Sequence, residues 1–541
     1  MLELKEQNGV ISLSNSPLTF RRDADLKQAK QWLIQINQLK SRDSGITLVE
    51  IFAWKGKSLW NSVQVPLFEQ LKQLSSYHAL LTYLSSQGIT ELKAEGSIYL
   101  VHNLQSAGIH VVNFPQPVGG PSKNSVLTWV YLRFNLLLWK ISSRLNPRPV
   151  LIYTPDIVDN KLGCDFRFSK TYDYLRSRGL AFYECFRTAN FRGSVLSRIR
   201  HPRIGFSLAA LSRPAKSQEV DWDTSDFELI LKIWWDHHAS LFLSCAASDR
   251  NLTENLIKLL QGHGIKQLVA MDDFRSTIPL FIACNELEIP ITLIQHGSVT
   301  PYSIGWITPG IPAQYSPVIQ QYLVHAPLWQ KILESEQSFL STPTILVKGW
   351  PDFPQLNRQP ETRTRTVRNC LLIYETSWPN LEDIRAFGLK LANETKTLYF
   401  KIRADISADK QVCDYFGNHP PDNLRVIQAI DQVIVDDIDA IVGNHSSLVY
   451  QLLLTGVPVI KPETSFALGD SLISFGLAEL WRRDESFESA LSRAMAEDRS
   501  ESVRSHLTLD DGVPHFAKVL DRTFSLPQPT LVSILQAESA E

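Results

Sequence analysis

Four polar residues in a row, Asn444, His445, Ser446 and Ser447, stand where the apolar run DAIVGN gives way to the helix-period stretch SLVYQLLLTG. Serine at a helix start caps unpaired backbone N–H groups, and those groups together with the helix dipole can hold a phosphate. Capping alone explains one serine; it leaves the polar character of the other three unexplained. A second group follows two apolar strands: Asp272 and Asp273 after IKQLVAM, and His296 with Gly297 after PITLIQ. Carboxylate and imidazole at strand ends are the residue types that take or give a proton, and in open parallel sheets ligands bind beyond the carboxyl ends of the strands. The plainer alternatives are that the aspartates cap the helix starting near Arg275 and that the histidine is a hydrogen-bonded structural residue.

These positions need strands that run in one direction, and the chain provides them. Runs of strand length alternate with helix-period segments: PVLIYTPD, YDYLRSRG, LAFYECF, then the helical DFELILKIWWDHHASLFLSCAAS and NLTENLIKLLQGHG. IKQLVAMDDFR, TIPLFIACNELE and PITLIQHG make a compact strand–helix–strand unit, followed by YLVHAP and WQKILESEQSF. Alternation of this kind predicts βαβ units and parallel sheets. After the polar, basic stretch LNRQPETRTRTVRN the pattern restarts with CLLIYETS, NLEDIRAFGLKLANE, TLYFKIRAD, LRVIQAI, DAIVGN and VPVIKPE. The expected architecture is α/β: two tandem doubly wound Rossmann-like units with an extra N-terminal α/β region. That region spans residues 1–121 and either precedes the first unit or belongs to it. An apolar connector covers 122–148, the first unit 149–341, a linker 342–369 and the second unit 370–541. Within the N-terminal region GITLVEIFAW reads as a buried strand. WKGKSLW, Trp54 to Trp60, either stacks on a sugar or covers a domain joint.

Composition narrows the classes. At 541 residues the chain is expected to hold about two to four domains. Lys and Arg total 54 against 56 for Asp and Glu, so no basic excess points to nucleic acid as a partner. The six cysteines lack CxxC pairs and read as small buried hydrophobes. His237 and His238 are adjacent, so they cannot share a helix face as paired ligands, and no metal set is expected. There is no P-loop and no GxGxxG after a strand. The N-terminus lacks a basic start followed by an apolar run, and the cytoplasm is the expected location. Ser125 to Leu145 is strongly apolar but interrupted by Arg133. It reads either as a core or interdomain helix, or as a helix lying in a membrane interface with Trp129, Trp139, Lys140 and Arg144 at the headgroups.

The pairing of QHG after a strand in the first half with NHSSLVYQLLLTGVPVI in the second resembles bacterial sugar transferases of the two-Rossmann GT-B type. Within them it is similar to surface-carbohydrate (capsule or O-antigen type) biosynthesis proteins, and more distantly to sugar-nucleotide 2-epimerases. The resemblance covers roughly Val150 to Leu526. It implies a nucleotide-sugar donor bound mainly by the second unit, a glycan or lipid-linked acceptor bound mainly by the first, and chemistry between them without a metal or other cofactor. Carried over, Ser446 and Ser447 match the serines that approach the donor phosphate, Gly456 and Pro458 the structural G-x-P, and His296 with Gly297 the cleft-facing HG. The chain departs from the family where Gln451 replaces a Glu, and where Lys401 and Arg403 stand in place of Lys and His-Pro.

Glycosyl transfer needs an acceptor for the proton of the attacking hydroxyl and positive charge for the leaving diphosphate. Asp272, Asp273 and His296 are the candidates for the first role. Lys401 and Arg403, which alternate along a strand and so share a face, are candidates for the second, with the Asn444–Ser447 turn. A solvated edge strand would carry the same pair of cations. Glu375, at the end of CLLIYE, is a candidate for a ribose hydroxyl. The rival readings are a nucleotide-sugar epimerase or hydrolase of the same fold, and a non-catalytic carbohydrate-assembly subunit.

Overall fold

In a computed structural model, the structure describes residues 2–7, 10–14, 19–21, 25–95, 98–112, 126–154, 168–186, 204–216, 219–271, 277–295, 297–336, 344–347, 368–375, 381–403, 406–464 and 467–508. Asp272, Asp273 and His296 lie outside the described residues, as do Cys164 and most of the basic stretch that follows Leu356.

Three sheets form the frame, with a short hairpin beside them. The N-terminal strands are β1 (Leu2–Gln7), β2 (Val10–Leu13) and β3 (Thr19–Arg21). The hairpin pairs β4 (Ala53–Trp54) with β5 (Lys57–Ser58), and β6 (Glu91–Glu95) and β7 (His110–Val112) follow. The first sheet has the order β3-β2-β1-β6-β7 and mixes antiparallel with parallel pairs. It belongs to neither Rossmann-like sheet. Its core of Trp32, Leu71 and Leu80 continues into Trp234, Trp235 and Phe242 of the long helix Leu229–Leu260.

The second sheet is built of β8 (Val150–Thr154), β9 (Phe182–Phe186), β10 (Gly205–Ser207), β11 (Gln267–Met271), β12 (Ile291–Ile294), β13 (Gln321–Val324) and β14 (Thr344–Val347). All its pairs are parallel, in the order β10-β9-β8-β11-β12-β13-β14. The third comprises β15 (Asn369–Ile373), β16 (Thr397–Lys401), β17 (Leu424–Ile427), β18 (Ala440–Val442), β19 (Val459–Pro462) and β20 (Glu479–Trp481). Its order is β17-β16-β15-β18-β19-β20, again all parallel. Within each unit the strands thus run third, second, first, fourth, fifth, sixth, the dinucleotide-fold order, and the strand order reverses between β8 and β11 and between β15 and β18. The apolar runs that form β8, β11, β15 and β18 are buried throughout because helices cover both faces.

Several sequence expectations change. GITLVEIFAW is not a strand: Leu48–Ile51 is a helical turn closed by a capping box in which Thr47 and Glu50 satisfy each other's backbone, leaving only Ala53–Trp54 extended. The two helices expected over residues 226–264 are one continuous helix, Leu229–Leu260. TILVKG contributes β14, the seventh strand of the first unit, so the linker begins later than residue 342. WKGKSLW ties a joint: Lys55 pairs with Glu286 at 2.5 Å, Lys57 donates to the Gln314 carbonyl at 3.1 Å, and buried Trp60 donates to Asn37 Oδ1 at 2.8 Å.

Val126–Leu145 is helical and lies on the first unit through Leu132, Leu136 and Trp139, whose ring sits 4.7 Å from that of Phe206 on β10. Trp139 is therefore core, not a headgroup anchor, because its position on the helix turns it onto the edge of the sheet. No helix among the described residues is long and apolar enough to cross a membrane. Cys185, Cys284 and Cys370 are buried, whereas Cys245 is exposed.

Candidate functional site

The reversal point of the second unit lies where β15 and β18 part, and Glu375 spans it. Its Oε1 accepts the backbone N–H groups of Asn444, His445 and Ser446 at 3.0, 2.9 and 2.8 Å. His445 Nδ1 lies 3.2 Å from the other carboxylate oxygen. Two local features make this possible. Ser446 caps the helix Ser447–Leu453 by accepting from Leu448 N, so the turn before it aims its N–H groups at β15. Gly443 has no side chain where a Cβ would come within 2.6 Å of Val449 Cγ2, letting helix and strand close on each other. From the other side, the hydroxyl oxygen of buried Tyr415 accepts from Glu375 N at 3.0 Å.

Burial pushes the Glu375 carboxyl up, but the His445 side chain and the N–H groups of Ser446 and Asn444 outweigh it and hold the group below its usual range. The anion-binding turn that the sequence marks is thus filled by the chain's own carboxylate. Glu375 is 5% exposed, so it meets the backbone rather than presenting itself to a ribose. A polyanion would have to rely on groups around this plug.

Such groups are present. Lys401 closes β16 with its Nζ on the Ile402 carbonyl at 2.6 Å; burial, then the charge of Arg403, lowers its pKa. Arg403 does not share a strand face with it, because β16 ends at Lys401. Arg403 lies in the following turn, exposed, its backbone N–H and carbonyl both held by the buried amide of Gln411 at 2.8 Å. Ser447 opens the helix and Gln451 lies one turn on, both half-buried.

Lys461, at the carboxyl end of β19, was not singled out from sequence. It is 2% exposed, lies 3.5 Å from Asp470 Oδ1, and its pKa falls through burial even though Asp470, Glu375 and Glu463 oppose the shift. The signal available in sequence was a lysine inside the otherwise apolar VPVIKP. Asn444 is fully buried against this lysine: a Cβ at Gly469 would lie 1.9 Å from Asn444 Oδ1 and 2.8 Å from Lys461 Cε. Tyr450 completes the group through a 2.7 Å hydrogen bond with Ser471.

The carboxyl ends of the two units meet. Trp329, in the helix that follows β13, packs its ring 4.7 Å from that of Tyr450, in the helix that follows β18. In the loop after β12, burial raises the Tyr302 pKa, and the charge of Asp470 in the second unit adds to the rise. That loop is rigidly seated: Gln295, 1% exposed, donates to the Gly297 carbonyl at 2.5 Å and accepts from His325 N at 2.7 Å. Gly297 is thus held at the carboxyl end of β12, beside β13. His296, next to it in sequence, and Asp272 and Asp273, which follow β11 in sequence, are outside the described residues. No group of three or more His, Cys, Asp or Glu residues that could hold a metal ion occurs among the described residues.

Two tandem Rossmann-like units joined at their carboxyl edges define the GT-B architecture. Solved structures similar to this chain include CalG4, the calicheamicin glycosyltransferase, at 15% identity over 71% of this chain and 100% of that one, with a TM-score of 0.43. Acinetobacter baumannii MurG is 12% identical over 72% of this chain and 100% of its own, with a TM-score of 0.41. The UDP-GlcNAc 2-epimerase from Neisseria meningitidis, solved bound to UDP-GlcNAc, is 11% identical over 70% and 98%, with a TM-score of 0.41. No protein-family model matches the chain. No curated protein matches it.

Proposed function

We propose that the chain transfers a sugar from a nucleotide-activated donor to a polysaccharide or lipid-linked acceptor of the cell surface, as a cytoplasmic or peripherally membrane-bound protein that needs no metal. The observation that carries this reading is the cluster of Glu375, His445, Lys461 and Asp470 at the reversal point of the second unit, turned toward the loop after β12 of the first. Ligands of doubly wound sheets bind at this point. Glu375 acts as a positioning residue: its carboxylate holds the 444–446 backbone and faces His445 Nδ1, so the imidazole is oriented for the donor by its other nitrogen. Lys401, Arg403 and Lys461 supply positive charge for the leaving diphosphate, with Ser446, Ser447 and Gln451 along its path. Asp272, Asp273 or His296 takes the proton of the acceptor hydroxyl.

One observation favours a second reading. The turn that would meet a phosphate through its N–H groups is filled by Glu375, which suits a non-catalytic assembly subunit that has kept the fold. Nucleotide protection separates the two. A transferase is stabilised thermally by a nucleoside diphosphate, and His445→Ala, which also lowers the midpoint of the unliganded protein, abolishes the nucleotide-induced shift. No shift with any nucleoside diphosphate defeats the transferase reading. Turnover of a donor without acceptor, giving an isomerised nucleotide sugar, identifies an epimerase instead.

A further inference from the structure

The helix Val126–Leu145 carries three kinds of residue on three faces. Leu132, Leu136, Trp139 and Ser143 are buried on the first unit. Opposite them Val130, Phe134, Leu137, Leu138, Ile141 and Leu145 form one stripe, each 45% exposed or more. The spacing of these positions is that of a single helix face. Between the two faces runs a row of Arg133, Lys140 and Arg144, and the helix contains no acidic residue.

That basic row forms one wall of a cavity of ≈ 280 Å³. Arg213 and Lys258 line it from the other side, with His263 at its floor, and no carboxylate lines it among the described residues. Five cations thus converge on a space below the size of a typical nucleotide or drug-sized site, which is about 300–1,000 Å³. His263 is fixed by a 2.7 Å contact between its Nδ1 and Ser143 Oγ. Burial lowers its pKa, and the charges of Arg144 and Lys140 add to the fall.

We propose that this face docks on an anionic membrane surface, the apolar stripe entering the boundary between headgroups and acyl chains and the cavity receiving the phosphate of an anionic lipid. Charge complementarity selects that occupant. An apolar stripe alone fits any hydrophobic surface, but here it is bordered by a five-cation cavity, and anionic lipid headgroups are what a basic row beside an apolar helix face meets when an amphipathic helix rests in the interface. The face lies against the edge strand β10, away from the reversal points of both sheets, so it serves docking rather than chemistry. The proposal deepens the peripheral location put forward above and does not depend on sugar transfer. Vesicle binding tests it, whereas nucleotide protection tests the transfer reading.

The test is sedimentation of the full chain with phosphatidylcholine vesicles, with and without phosphatidylglycerol. Binding is expected only when phosphatidylglycerol is present, and it weakens as salt is raised. Lys140→Gln with Lys258→Gln removes two cations and lowers the partition coefficient about thirtyfold. Phe134→Ser with Ile141→Ser lowers it on the order of a hundredfold. Both pairs leave the thermal midpoint unchanged, since the apolar pair is exposed and the cations line an open cavity. Equal binding to both vesicles, or undiminished binding of the cation variant, overturns the proposal. So does protection by inorganic phosphate without vesicle binding, which would make the cavity a soluble-anion site. Self-association abolished by Phe134→Ser with Ile141→Ser, with no vesicle binding, would assign the stripe to a second copy of the chain and overturn it as well.

Discussion

Removing the carboxylate of Glu375 tests the centre of the second unit. Three N–H groups converge on Oε1 at 2.8–3.0 Å, and His445 stands 3.2 Å from Oε2. Hydrogen bonds to a charged group are worth roughly 1.5–3 kcal/mol each, but three donors on one oxygen do not add independently. Breaking a buried charged cluster by removing one partner costs about 3–5 kcal/mol, and that is the loss expected for Glu375→Ala. Glu375→Gln keeps an acceptor without its charge; because charge-assisted bonds are about twice as strong as neutral ones, the expected loss is about 2 kcal/mol. The assay is urea unfolding followed by Trp481, which is fully buried in the second unit, together with hydrogen exchange at residues 444–448.

The pH dependence has a defined sign. The folded carboxyl titrates below its usual value of 4.5, so the unfolded chain binds more protons in acid. Its stabilisation is complete above that value and is lost as pH falls through the folded pKa. The gap between wild type and Glu375→Gln should therefore narrow on acidification below the usual carboxylate range. A loss under about 1 kcal/mol for Glu375→Ala, or a gap unchanged in acid, would refute the assignment of Glu375 as the clamp of this turn.

Other substitutions probe neighbouring features. Lys461→Met exchanges a buried ammonium for an apolar chain of similar length; stability is expected to hold or rise in a urea titration, while nucleoside diphosphate affinity falls at least about tenfold by calorimetry. Since burial lowers the Lys461 pKa, the wild type should also gain stability relative to Lys461→Met as pH rises toward the ordinary lysine value of 10.5. Gln295→Leu leaves the Gly297 carbonyl and His325 N–H without their shared partner, for a loss of about 2 kcal/mol and faster exchange across residues 297–300. Gly469→Ala forces a methyl group into Asn444 and Lys461, with an expected cost of about 1–3 kcal/mol in thermal unfolding.

Much of the architecture was legible locally. Apolar runs such as PVLIYT and CLLIY became strands because full burial between helices leaves no room for alternation. Gly456 follows the helix Ser447–Leu453 with a φ of 77°, a conformation that costs glycine little. Thr47 and Glu50 carry a capping box that outweighs the β-branched residues around them. The turn at 444–447 was legible as polar residues at a helix start. What fills it was not, because Glu375 lies 69 to 71 residues away in sequence.

The chain by itself determined most strands of the two parallel sheets, where its ionisable residues fall at strand ends, and that an apolar helix carries Arg133, Lys140 and Arg144, since these follow from periodicity and local backbone preference. Only the tertiary structure decided that Glu375 takes the N–H groups of the turn, that Lys461 joins the cluster, and that Trp139 turns inward while Phe134 and Ile141 remain outside. Those outcomes depend on strand order and on which face of each helix meets a neighbour. Both are fixed by contacts between residues far apart in the chain, where burial and paired charge outweigh local propensity.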